Sequence, residues 1–308
     1  YVADLEAGLI LGKGNRPKKA STIGTDKGRI KRHILPLIGT RKVKDLTKAD
    51  INRVLKDVMA GKTARIVKTE KLRGKSIVRG GVGTATRTVG LLGGILTYAV
   101  DAGIIDLNPA HGIRKPKDNT RDRRLTEAEY RLLGQLLRDA KEDGHYALAA
   151  EVAHVIALTG ARRGEIITLA RTEADIDASC LRLADSKEGK SVRAIGLPVV
   201  EALEARIEAT SGTYLFPGRG EDNAFGAFPQ HWHKILAGSE LEGITPHVLR
   251  HSFASIGNDL GFTEVTIAAL VGHSKGSTTS KYIHTLDTAL VMAADTISGY
   301  IQGLLDGI

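Results

Sequence analysis

Apolar residues in "LTKADINRVLKDVMA" fall at Ile51, Val54, Leu55 and Val58, the spacing of one helical face, and Thr47 stands where a helix is capped. "STIGTDKGRIKRHILPLIG" repeats the pattern at Ile30, Ile34, Leu35 and Ile38, with Pro36 as an interruption. "TATRTVGLLGGILTYAVDAGII" reads as a third helix ending near Gly103. Between Gly61 and Gly83 the chain is basic, glycine-rich and without period, which predicts a long exposed loop. Periodicity stops again in "NPAHGIRKPKDNTRDRR", a linker at 119–124 between a helical domain over 1–118 and a second domain over 125–308. The second domain opens with "LTEAEYRLL", where Thr126 caps and Glu127 and Glu129 favour the first turn. Helical patterns run through Thr159; then "DIDASCLRLAD" and "SVRAIGLP" alternate around the turn "SKEGK", a hairpin, and helices return from Pro198. The expected fold is mainly α with a small β-sheet, an α+β class.

At 308 residues the chain is long enough for two cores, and its 42% hydrophobic and 26% charged residues are those of an ordinary soluble protein. It has no apolar run near the roughly 18 residues that span a membrane and no signal-like N-terminus, so a cytoplasmic location is expected. The lone Cys180 excludes internal disulfides and reads as a buried strand residue. The net charge of +9 is unevenly spread: residues 1–124 hold 28 Lys+Arg against 11 Asp+Glu, the remainder 16 against 24. Such a first half suits a polyanion, or else is a solvated basic face.

Several groups carry chemistry. In "TPHVLRHSFASIGNDLG", Thr245 as cap, Pro246 at the first position and Gly261 past the end frame a helix. Leu249, Phe253, Ile256 and Leu260 form its apolar face, with His247, Arg250 and His251 on another. A His and an Arg three apart near a helix N-terminus suit a phosphate, though the pair alone also fits a structural role. His247 and His251 have a zinc-enzyme spacing, but Val248 stands where that motif needs an acid and no third ligand is evident, so no metal is expected. "HWH" at 231–233 reads as packing or surface. In "TGARRGEIITLA", Thr159-Gly160 ends a helix and Arg162 and Glu165 are spaced for an ion pair, on a bland reading a surface one. Lys187 lies in the hairpin turn, and Tyr282, in "GHSKGSTTSKYIH", is either a surface aromatic or a nucleophile.

The order "TGARRGEI", "SKEGKSVRAIGLP", "HVLRH", "LVGHS", "KYIH" over residues 125–290 resembles the tyrosine recombinases, the phage-integrase family. The resemblance implies a helical core-binding domain followed by a catalytic domain, and a metal-independent, cofactor-free DNA strand transfer through a 3′-phosphotyrosyl link. It makes Tyr282 the nucleophile, Arg162 and Arg250 the phosphate-clamping arginines, Lys187 the hairpin lysine that protonates the leaving 5′-oxygen, and His247 and His273 the two histidines. Glu165 would orient Arg162; Val248 departs from the family's frequent Asp without touching the catalytic set. DNA contacts are expected from Lys27, Arg29, Lys31, Arg32, Lys62, Arg65, Lys71, Arg73, Lys75, Arg79 and Arg87, with the two domains closing on the duplex as a clamp.

The implied partners are double-stranded DNA with specific core sites, a homotetramer on DNA formed from monomers or weak oligomers, and a DNA-bending accessory protein. An integrase of a phage or genomic island, working at the bacterial nucleoid, is the leading reading. A Xer-like dimer resolvase, a type IB topoisomerase and a non-catalytic regulator on the same fold are the alternatives. The first residue is Tyr1, so a truncated chain with an arm-binding domain ahead of it is a further expectation. Leu290, Ala293, Ala294, Ile297, Ile301 and Leu304 or Leu305 give the terminal helix an apolar face, expected to dock on a neighbouring protomer, or else on its own domain.

Overall fold

The structure, a computed structural model, describes residues 1–12, 14–70, 74–117, 123–186, 189–220, 222–272 and 288–308. The described residues are mainly helical, with a two-stranded and a three-stranded antiparallel sheet, and they divide into two compact units, Tyr1–Thr120 and Arg121–Ile308.

In the first unit, α1 (Val2–Glu6) precedes α2 (Ala20–Arg29), which runs through a widened π turn at Ile30–Ile34 into α3 (Leu35–Ile38). Pro36 does not break this run as the sequence suggests, because it sits in the first turn of α3, where a missing N–H leaves no bond unmade. Next, α4 (Lys48–Met59) begins with a capping box: the Asp50 amide donates to Thr47 Oγ1 at 3.3 Å and the Thr47 amide to Asp50 Oδ2 at 2.9 Å. Its buried Ile51, Val54, Leu55 and Val58 share one core with Val89, Leu92 and Leu96 of α5 (Val82–Asp101).

Between α4 and α5 the structure corrects the expected loop. Strands β1 (Arg65–Lys68) and β2 (Lys75–Val78) pair antiparallel, Arg65 opposite Val78 and Lys68 opposite Lys75. Four-residue strands alternate too briefly to be read above a glycine-rich, basic background.

The second unit opens with α6 (Glu127–Glu142), whose capping box joins Thr126 and Glu129. Helix α7 (Ala147–Thr159) is buried on all sides, the axle of this unit. It ends at Gly160, whose φ of +60° is left-handed and whose missing Cβ leaves room for Phe253, 2.8 Å from where a methyl would stand. Helix α8 (Arg163–Ile167) follows, then strands β3 (Ala174–Asp175), β4 (Cys180–Ser186) and β5 (Gly189–Ala194) in that spatial order. Cys180 is buried in β4. Helices α9 (Leu197–Ala209), α10 (Phe228–Leu236), α11 (Pro246–Asp259), α12 (Glu264–Val271) and α13 (Thr288–Asp306) complete it. On α10, Trp232 is buried and its indole N–H donates to the Ile244 carbonyl at 2.8 Å.

Helix α13 is seated on its own domain, where Ala293, Ala294, Ile297, Ile301, Leu304 and Leu305 join the common core. Gly134 of α6 lets the backbone at Leu305 approach, Arg138 donates to the Leu305 carbonyl at 2.6 Å, and His154 of α7 bonds Gln302 at 2.6 Å. In this single chain the helix takes the second of the two expected arrangements and covers α6 and α7, which would otherwise expose core residues.

Candidate active site

Three arginines converge on the C-terminus of α12. The last carbonyls of a helix have no partner within it and carry the negative end of its dipole, so cationic donors are favoured there. Nη1 of Arg250, from α11, donates to the Val271 carbonyl at 2.6 Å and to that of Gly160 at 2.7 Å. Arg193, from β5, reaches the same Val271 carbonyl at 2.9 Å. Arg162, the residue that precedes α8, reaches the Gly272 carbonyl at 3.2 Å. Gly272 ends α12 with φ +70°, and a Cβ there would lie 2.2 Å from the Arg193 guanidinium carbon, so both its conformation and its smallness are required.

Glu165 ties the arginines together. Its carboxylate accepts two parallel bonds from Arg193, at 2.8 and 3.0 Å, one from Arg162 Nη1 at 3.0 Å and one from the Arg162 amide at 2.8 Å. Burial by itself would raise this carboxyl, but Arg193 and then Arg162 outweigh it and hold it below the usual carboxylate range. Glu165 is buried, so the surface-pair reading of Arg162 and Glu165 does not hold.

Arg250 is only 4% exposed although it lies off the apolar face of Leu249, Phe253 and Ile256. The reason is that α11 is covered on two sides, by α7 and by α12 and α13, while Leu260 at its end is 38% exposed. Burial, with Arg162 and Arg193 nearby, pushes the Arg250 guanidinium down to about 10, still cationic at neutral pH. Among the described residues its buried Nη2 finds no hydrogen-bond acceptor. Three guanidiniums against one carboxylate leave the cluster at +2, with a buried donor unused, and an anion with planar oxygen pairs is its chemical complement.

His247 is exposed in the first turn of α11, three residues before Arg250, and its ring meets that of His251 edge to face at 4.4 Å. Lys187, His273 and Tyr282 lie outside the described residues, as do Lys71 and Arg73. Arg193 is the member of this cluster that the sequence reading did not single out. Its signal was parity: it lies opposite buried Leu181 and two residues before buried Ile195, so its strand points it inward.

In the first unit, Arg29, Arg32 and Arg79 line an open groove of about 570 Å³ with Ser21, Gly24 and His33. Burial, then Arg32, Arg29 and Arg65, holds His33 below the ordinary histidine range. Lys31 is exposed on the π turn, Arg65 and Lys75 are exposed on the hairpin, and Arg87 lies on α5. Three expected contacts are partly engaged with acids: Lys27 with Glu6, Arg29 with Asp26 at 3.3 Å and Lys62 with Asp57 at 2.6 Å.

Comparison with known proteins points one way. The pattern described as the Phage integrase family matches residues 123–289, and that described as the Phage integrase N-terminal SAM-like domain matches residues 18–59. A shufflon-specific DNA recombinase of Escherichia coli is 27% identical over 242 residues, covering 78% of this chain and 60% of that protein. The tyrosine recombinase XerD of Mycobacterium leprae is 27% identical over 220 residues, covering 65% of this chain and 68% of that one. The structure is similar to that of a lambda integrase tetramer bound to a Holliday junction, with a TM-score of 0.65, 19% identity, and coverage of 90% of this chain and 77% of that one. It is also similar to the Tn1549 transposon integrase in complex with circular intermediate DNA, with a TM-score of 0.61, 17% identity, and coverage of 95% and 98%. At these identities the likeness shows a shared fold.

Proposed function

Because the chain belongs to the phage integrase family, its catalytic-domain match running over residues 123–289, we propose that it is a site-specific DNA recombinase, the integrase of a phage or integrative element. The observation that carries this is the Nη2 of buried Arg250, without a partner among the described residues, in a cluster whose described members, Arg162, Arg193, Arg250 and Glu165, sum to +2. A phosphodiester in transfer develops negative charge on its non-bridging oxygens, and preorganised guanidiniums stabilise that charge where water is excluded. Glu165, itself held by Arg193, holds Arg162 in place, and His247 lies three residues before Arg250 on α11.

In this reading the Tyr282 phenolate attacks phosphorus, the bond to the 5′-oxygen breaks, and Lys187 delivers a proton to that oxygen. A phenol with an ordinary pKa of about 10 loses its proton to His247 or His273 in the field of the arginines. The phosphotyrosyl ester keeps the bond energy, so another strand's 5′-hydroxyl reverses the step, which is strand exchange. Residues 1–118 act as the core-binding domain, 119–124 as the linker and 125–308 as the catalytic domain, on core-site DNA, as a homotetramer in the cytoplasm. No described helix is long and apolar enough to cross a membrane. The match to XerD favours dimer resolution as the second reading, distinguished by activity on chromosomal rather than element-borne junctions.

The test is a nicked suicide duplex from the element's junctions, incubated in EDTA and resolved on a denaturing gel. A covalent protein–DNA adduct is expected from the wild type and none from Tyr282→Phe, which still binds. An adduct surviving that substitution removes Tyr282 from its role, and an adduct that forms only with a divalent metal overturns the metal-free chemistry.

A further inference from the structure

The hairpin between α4 and α5 presents a face that an isolated protein has little reason to build. Residues directly opposed in an antiparallel pair share a face, so Ile66 with Ile77 and Lys68 with Lys75 lie together on one side. The opposite side carries Arg65, Val67, Ser76 and Val78, of which Val78 is buried at the hairpin's base while Arg65 and Val67 remain exposed, so the isoleucine–lysine face is the one with no buried member. Ile66 is 68% and Ile77 53% exposed, two adjacent branched apolar side chains left in water. Lys68 and Lys75 place like charges directly across from each other, an arrangement that opposes strand pairing, and among the described residues neither has an acidic partner.

The ribbon is nonetheless fixed at its base. His33 Nδ1 and Thr63 Oγ1 are 2.6 Å apart in a buried contact, the Gly81 amide donates to the Val58 carbonyl at 3.2 Å, and Gly80 lies too close to Val58 and Gly61 to tolerate a side chain. A held ribbon with exposed apolar residues and unrelieved positive charge fits an occupant that supplies both negative charge and apolar groups. Between Lys62 and Arg79 the sequence holds seven Lys or Arg and one acid, Glu70, which selects a polyanion over a protein surface of mixed charge.

We propose that the outward face of β1–β2 enters the major groove of duplex DNA as a two-stranded ribbon, with Ile66 and Ile77 against thymine methyls and Lys68 and Lys75 against flanking phosphates. The groove is about 12 Å wide and admits such a ribbon, and thymine methyls are the apolar feature of its floor. This rests on the DNA-recombinase reading and adds to it a determinant of which sequence is bound. The isoleucines carry discrimination; the lysines carry salt-dependent affinity without it.

The experiment uses the full chain and two duplexes, one selected by the wild type from a random pool and one scrambled, with affinities measured across a salt series. Ile66→Thr with Ile77→Thr is expected to cut the preference for the selected duplex roughly tenfold, as one misread base pair does, without changing the salt dependence. Lys68→Gln with Lys75→Gln is expected to lower the slope of log K against log salt by about 1.8 on both duplexes, with the preference intact. Threonine keeps strand propensity and both sites are exposed, so melting temperatures serve as the folding control. Unchanged preference and unchanged slope overturn the proposal, as does a threonine variant that alters only self-association. The suicide-duplex adduct at saturating protein separates the two readings. Its absence in the wild type strikes the recombinase assignment, while the binding series judges the ribbon independently.

Discussion

Replacing Arg193 by methionine keeps most of the side chain's volume and removes the fork that holds Glu165. In the native cluster both Glu165 oxygens face Arg193, at 2.8 and 3.0 Å, and both groups are nearly sealed from water, with side-chain exposures of 3% for Arg193 and 7% for Glu165. The variant leaves the carboxylate with the single Arg162 side chain, itself 22% exposed. Removing one partner of a buried pair costs about 3–5 kcal/mol, because the other charge stays buried without compensation. For a unit of this size each kcal/mol moves Tm by roughly 2–4 °C, so a fall of about 6–20 °C is expected in thermal melts. The dependence on pH follows from Glu165. In the native protein its carboxyl is depressed, so its contribution is present above its unfolded value near 4.3 and is lost as pH falls through the folded value. In the variant, burial is no longer outweighed by Arg193, the carboxyl rises, and protonation relieves the penalty. The deficit is therefore full at neutral pH and shrinks towards pH 5. The rate of adduct formation at saturating DNA falls too, since Arg162 loses its brace, and Arg193→Lys restores stability better than that rate because ammonium lacks the planar fork. A deficit below about 1 kcal/mol that stays flat from pH 5 to 8 would refute this account of the cluster.

Gly160→Ala is expected to destabilise the second unit by about 1–3 kcal/mol, since it combines a φ of +60° with a methyl 2.8 Å from Phe253; a denaturant melt measures it, and a neutral result would mean that Phe253 moves aside freely. Mixing Tyr282→Phe with Arg250→Lys protein on one suicide duplex tests whose arginines serve which tyrosine: no recovery of adduct is expected if each tyrosine works in its own protomer's site, and recovery towards wild-type yield shows delivery to a neighbour.

What the residues disclosed in advance depended on how local the cause was. The capping boxes at Thr47 and Thr126 are decided within four residues, and both form as their spacing predicts. The break at Gly160 is equally local, a left-handed residue that ends α7. The burial of Arg250 was not legible because a helical wheel records one face, whereas α11 is covered by elements more than 80 residues away in sequence, such as α7. Arg193 escaped because an arginine in a short strand is ordinarily read as solvated; only its register opposite Leu181 turns it inward. The hairpin at 65–78 escaped because its exposed isoleucines give no clean alternation of buried and polar positions. Lys187, His273 and Tyr282 were identified by family resemblance rather than by pattern, and they lie outside the described residues.

The arginine cluster also fixes the end of α12, and the common core fixes α13, the two helices that flank the segment holding Tyr282. Gly272 is held through its carbonyl by Arg162, and the preceding Val271 carbonyl by Arg193 and Arg250, so the chain leaves α12 from a fixed point beside the guanidiniums. It re-enters described structure at Thr288, the start of a helix tied to the same unit through Asp295 Oδ1, which accepts from the Leu197 amide at 2.8 Å, and through Gln302 on His154. Both flanks of the segment that contains Tyr282 are thus anchored on the unit that owns the arginines. Moving α13 itself onto a neighbouring protomer would take it from a core in which Ile297 and Ile301 are fully buried, at a cost set by the apolar area exposed. On the proposed function, cleavage within one protomer is the outcome that leaves this core intact, and the mixed-variant duplex decides it.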